Sequence, residues 1–292
     1  MALEKWIVLP GESRIIDVEL VRKLKVGLVG GQIDIIGHDE SSARVEVHSV
    51  SGRDLKISID GDVLEIDHPQ LGWENFLDVF KSFGQNSAKA QISVLVPRAV
   101  ALNFGMVSAS ALVSGLTTDA RLSTVNGELQ VEGVTGDLDL KSISGEMSVQ
   151  SHTGAVNAHT VSGDITASGQ LTRFSSDGVS GDVFVDALGH CDKISANTVS
   201  GHLTARLSAD VGARYVVNTV SGTLQLDHSV IKGTRGRGFS STTEGDGNFY
   251  TDVFANSVSG NVSVIRRAAA AEKSRGADGA EDADVFHTGG LA

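Results

Sequence analysis

Four acids stand at equivalent places in a repeated phrase: Glu128, Glu146, Asp164 and Asp182, each eighteen residues after the last. Stacked in register they would lie about 5 Å apart, close enough to repel. Such carboxylates can spread into solvent, accept turn amides, or share divalent cations, which makes the column a weak candidate metal ladder. A calcium repeat of the GGxGxDxUx kind needs paired glycines and an Asp in another frame, and neither is present. Where the regularity lapses, His190, Cys191, Asp192 and His202 offer different chemistry, and His202 stands where another acid belongs. A Cys-His pair can act as a nucleophile, yet a lone Cys among small residues reads as a packed hydrophobe. His152 and His159 straddle a turn with no Cys at zinc spacing. A polysaccharide-active enzyme would need non-repeating carboxylates converging in a cleft. No catalytic residue and no cofactor is expected.

The elements that position these groups follow from the glycines. An aliphatic-x-Gly-x-aliphatic core centres on Gly127, Gly136, Gly145, Gly154 and Gly163, a strict step of nine, then on Gly181, Gly201, Gly222 and Gly260 at steps of 18, 20, 21 and 38. Between glycines the apolar residues alternate, as in Leu129/Val131, Met147/Val149 and Val183/Val185. That period of two marks strands. Nine residues make one strand and one turn, so the expected fold is all-β: a single-stranded β-solenoid, β-helix-like, with eighteen-residue rungs of two short strands. Two inward aliphatic columns are predicted: Val125, Ile143, Val161, Val179, Val199, Val220 and Val258, and Leu129, Met147, Ile165, Val183, Leu203, Leu224 and Val262. Gly serves either positive φ or close backbone approach. The Ser column from Ser144 to Ser259 serves turn amides or the next rung.

Solenoid ends need covers. Residues 1–98 read as a strand-rich N-terminal cap region, residues 99–267 as the repeat, and 268–292 as a polar, disordered tail. An insertion at 71–90 carries Trp73, Phe76, Phe80 and Phe83. Its spacing predicts a short flanking helix, and its aromatics are candidate contacts for a partner protein or membrane surface. A second insertion, 229–256, reads as a projecting hairpin or loop. Its KGTRGRG lacks the order of a phosphate loop, and Lys232, Arg235 and Arg237 are candidates for an anionic partner.

Composition narrows the function. A net charge of −12 argues against nucleic acid, and one cysteine forbids an intramolecular disulfide. The apolar run Trp6–Leu9 is too short for a signal peptide, and no later run reaches membrane-span length. A cytoplasmic protein, or one peripheral to the inner face of the membrane, is expected. The repeated TVSG phrases Thr160–Gly163, Thr198–Gly201 and Thr219–Gly222, with the VP-ending strand Gln91–Pro97, are similar to the bacterial toastrack or "putative adhesin" family of β-strand-repeat domains of unknown function. The resemblance spans roughly residues 25–265. It implies a scaffold or sensing role without catalysis, often beside envelope-stress membrane proteins or transcription regulators, and no catalytic residues to carry over. The expected function is a non-enzymatic scaffold that binds a protein partner. The alternative is an adhesin-like carbohydrate- or surface-binding protein, which would require export.

Overall fold

The computed structural model describes residues 3–68, 88–227, 229–232, 238–245 and 249–267. Among these residues there are twenty-two strands and no helix, so the all-β expectation holds. The aromatic residues of 71–90 and the tail from 268 lie outside the described residues, as does the helix expected there.

The alternating apolar pattern produces two ladders. In the first, β3 (Lys23–His38) pairs through its second half with β8 (Ala101–Ser114). Next come β10 (Leu129–Glu132), β12 (Met147–Thr160), β13 (Ile165–Gly178), β14 (Val183–Ala187) and β16 (Leu203–Leu207), all parallel. The second ladder uses the first halves of β3 and β8, then β9 (Ala120–Thr124) and β11 (Leu138–Ser142). It continues through the second halves of β12 and β13 to β15 (Lys193–Thr198). Register follows the eighteen-residue step: Leu129 lies opposite Met147, Met147 opposite Ile165, and Ile165 opposite Val183. The column Leu129, Met147, Ile165, Val183, Leu203, Leu224 and Val262 is buried throughout. Each such side chain contributes about 1.5–3 kcal/mol of apolar burial.

The expected boundary at 98/99 does not mark a change of pairing. β3 already runs through both ladders and lies parallel to β8. Outboard of it on one ladder β6 (Val63–Asp67) is still parallel to β3, and β5 (Leu55–Asp60) and β1 (Glu4–Val8) follow in antiparallel pairings. On the other, β7 (Lys89–Pro97) is parallel to β3, and β4 (Ala43–Ser51) and β2 (Arg14–Val18) follow in antiparallel pairings.

The order of the last rungs departs from the order of the chain. β21 (Tyr250–Ser257) is parallel to β15 on one side and to β17 (Gly212–Thr219) on the other. Likewise β22 (Val262–Arg266) lies between β16 and β18 (Thr223–Leu226). The copy around Gly260 therefore sits between those of Gly201 and Gly222. A ladder of side-chain amides records the same order, with Asn197 donating to Asp177 at 2.7 Å, Asn256 to Asn197 at 2.7 Å and Asn218 to Asn256 at 2.8 Å. The cause lies in the segment expected to project. β19 (Ser229–Lys232) and β20 (Phe239–Thr243) fold back antiparallel onto β18 and β17, occupying the outer edges, so the next parallel strand pair enters inside them. The 229–256 segment thus contains two edge strands and most of an interior one.

Close contact explains the repeat glycines, with positive φ in addition at Gly136, Gly154 and Gly181. A Cβ on Gly145 would lie 2.2 Å from the carbonyl oxygen of Gly127, and one on Gly163 would lie 2.0 Å from that of Gly145. Gly163→Val should therefore lower unfolding free energy by about 1–3 kcal/mol through overpacking. Chemical denaturation checks this, and an unchanged midpoint would contradict the contact.

Candidate functional site

One predicted column points the other way. Val161, Val179, Val199, Val258 and Val220 are 48–57% exposed, although Val125 at the head of the column is buried and Ile143 is partly so. At four of these five corners the residue before the valine is Thr or Ser, and Thr160, Thr219 and Ser257 are buried. A buried corner amide needs an acceptor, and at Gly145 and Gly163 an interior hydroxyl supplies it. Thr160 Oγ1 accepts from the Gly163 amide at 2.9 Å. Ser142 Oγ accepts from the Gly145 amide at 2.7 Å and donates to the Gly145 carbonyl at 2.8 Å. Alternation turns Val161, Val220 and Val258 outward from these interior hydroxyls, while Val179 follows Gly178. Five valines on consecutive rungs then form an apolar ridge roughly 19 Å long.

The acidic column has a use within the stack. Asp164 Oδ1 accepts from the Asp182 amide and Asp182 Oδ1 from the His202 amide, each at 2.8 Å. His202 Nδ1 accepts from the Asn261 amide at 3.1 Å, and Asn261 Oδ1 from the Thr223 amide at 2.8 Å. His202 is therefore a substitute acceptor at an acid's position, and the chain of bonds follows the spatial order of the rungs. Among the described residues no three His, Cys, Asp or Glu side chains gather as a metal would require, and the candidate ladder of Glu128, Glu146, Asp164 and Asp182 is not such a cluster. Among the other candidates, Lys232 ends β19 opposite Thr223. Arg235, Arg237, Trp73, Phe76, Phe80 and Phe83 lie outside the described residues.

Cys191 is fully buried, its thiol directed to the carbonyls of Lys193 and Thr172. Burial pushes it up to about 11, which leaves no thiolate for attack at neutral pH. His190 stands apart, 3.4 Å from Asp192 and against the Phe249 ring.

Two polar clusters hold the returning strands. Arg266 Nε donates to Asp227 Oδ1 at 2.8 Å, and Tyr215 Oη donates to Asp227 Oδ2 at 2.7 Å. Asp186 receives both Arg206 and Arg267, and hydrogen bonding to Arg206 holds its carboxyl below the usual range. These pairs were not legible in the sequence, because their partners are separated by between 12 and 81 residues.

A second surface is a depression of about 690 Å³ on the outer side of the second ladder. It crosses seven successive rungs, from Lys23 through Ala101, Asp119, Asp137, Ala155 and Arg173 to Lys193.

The arrangement is that of a strand-repeat protein whose outer faces carry a line of valines and a charged hollow. The chain belongs to the Toastrack family DUF4097, whose profile matches residues 32–265. No functionally curated protein matches it. A crystal structure titled "putative adhesin" from Bacteroides fragilis NCTC 9343 is similar at 13% identity and a TM-score of 0.48, covering 87% of this chain and 98% of that one. A "putative lipid binding protein" from Parabacteroides distasonis ATCC 8503 shows 13% identity and a TM-score of 0.46, with 89% and 98% covered. A "putative cell adhesion protein" from Clostridium sporogenes ATCC 15579 shows 14% identity and a TM-score of 0.30, with 91% and 99% covered. Those titles describe those proteins. Among the described residues no helix is long and apolar enough to cross a membrane.

Two buried histidines set a pH dependence. His152 is fully buried and desolvation lowers its pKa, against the opposing pull of backbone groups at Val134, Ala155 and Gly136. His68, which accepts the Val29 amide at 3.3 Å, is lowered to about 4 by burial. The unfolded chain therefore takes up these protons first, and stability falls as pH drops below about 6.5. Asp67, raised to about 7 by burial, acts in the opposite sense and favours the fold as pH falls from 7 toward 4. His152→Leu should flatten the loss between pH 6.5 and 4.5, measured as urea midpoint against pH. An unchanged slope would show that His152 does not contribute.

Proposed function

We propose that the chain is a non-enzymatic β-solenoid scaffold that binds a protein partner along its valine ridge. The observation that carries this is the row Val161, Val179, Val199, Val258 and Val220, each about half exposed on consecutive rungs. Isolated surface valines need no explanation, whereas a continuous apolar line on a charged protein marks a contact surface. The solenoid reading is supported by the in-register parallel pairs at eighteen-residue steps. The non-enzymatic reading is supported by the burial of Cys191 and by the acids' engagement with turn amides. A cytoplasmic setting, with a partner in an envelope-stress or regulatory system, belongs to the same proposal.

Val179→Asp with Val199→Asp places two charges on the ridge without touching the core. Circular dichroism should be unchanged, and affinity purification from the native host should lose the partners recovered by the wild type. An identical set of partners with an intact fold would overturn the ridge as the docking surface.

A further inference from the structure

The depression on the second ladder carries an ordered charge pattern. One column crosses it at a single strand position. It begins Lys23, Ala101, Asp119 and Asp137, and passes through Ala155 to Arg173, Lys193, Asp252 and Arg214. Its signs, rung by rung, are plus, neutral, minus, minus, neutral, plus, plus, minus, plus. Ala155 is the middle of nine. Reversing the order about Ala155 sets Asp137 against Arg173 and Asp119 against Lys193. The outermost positions, Lys23 and Arg214, are alike in sign, but Arg214 is already paired with Asp252 at 3.3 Å.

From this we infer that the face is an isologous contact between two copies of the chain, related by a two-fold axis running along the strand at Ala155. A two-fold contact places residue i on j and j on i, which is the relation this column satisfies. The neighbouring position on the same rung is Asn157, in register with Asp139 and Ser175. On the axis it would meet its own copy, and an amide offers both donor and acceptor for such a pairing. Within one chain Asp137 and Arg173 are two rungs apart, roughly 9.6 Å between backbones, and the ion pairs of this face among the described residues are others, Arg121–Asp139 and Arg214–Asp252. Their charges are thus free for a partner. The small Ala101 and Ala155 leave the hollow into which long Arg173 and Lys193 side chains of a second copy can reach. The overall charge of −12 opposes association of copies, whereas this column holds four cations and three acids and is locally balanced. An anionic ligand would meet Asp119 and Asp137, and a cationic one Arg173 and Lys193. Only an occupant with the reversed pattern meets neither repulsion.

Sedimentation velocity on the full chain tests this, with Asp137→Lys, Arg173→Glu and the double exchange. Wild type should dimerise, with a Kd that rises with salt. Each single change should weaken the dimer at least tenfold, and the double exchange should restore it. Thermal melts check that each variant folds. A wild type that stays monomeric at every concentration overturns the inference and leaves the hollow to another occupant. A dimer indifferent to the single changes, or not restored by the exchange, overturns it equally, because the copies then meet elsewhere.

Discussion

The closest contact in the stack is between a glycine and the carbonyl above it. From Gly127 to Gly260 a methyl group at the repeated position would overlap a carbonyl oxygen of the neighbouring rung, at about 2.0–2.4 Å for Gly145, Gly163, Gly181, Gly201, Gly222 and Gly260. Parallel strands must stay at hydrogen-bonding distance along their whole length, corners included. Absence of a side chain at the corner permits this, and the two ladders follow. Positive φ accompanies the contact at Gly181, but the neighbouring corners make it without one.

Close corners create polar demands, and the repeat meets them with side chains at fixed positions. Inside the corners of Gly145 and Gly163 a Ser or Thr hydroxyl serves the glycine amide. Outside it, the acid of one rung accepts the amide of the next. Residues that look like chemistry in one copy therefore act as hydrogen-bond partners across copies. The outer faces then carry a line of valines on one side and a charged hollow on another.

The period-two alternation made the strands and the Leu129-to-Val262 column legible. It left undetermined which parity faces inward at a corner, where Thr160 and Thr219 take the interior place and the following valines the exterior one. Hydropathy alone cannot express that preference. Rung order was hidden for another reason. The 38-residue interval before Gly260 reads equally as a loop or as a return, and Arg266, Asp227, Arg267 and Asp186 decide between them only once folded. The charge column of the hollow likewise requires register across residues 23 to 252.

Because the contacts between rungs determine register, the out-of-sequence placement of the Gly260 copy is the claim most open to direct refutation. Cysteines can bridge neighbouring rungs but not alternate ones, since disulfides need Cα separations of about 4.4–6.8 Å and rungs are about 4.8 Å apart. With Cys191 replaced by Ala, Ser200→Cys paired with Ser259→Cys should oxidise to an intramolecular disulfide in the folded protein. Ser200→Cys paired with Ser221→Cys should stay reduced. The opposite result, bridging 200 to 221 and not to 259, would contradict the stacking described.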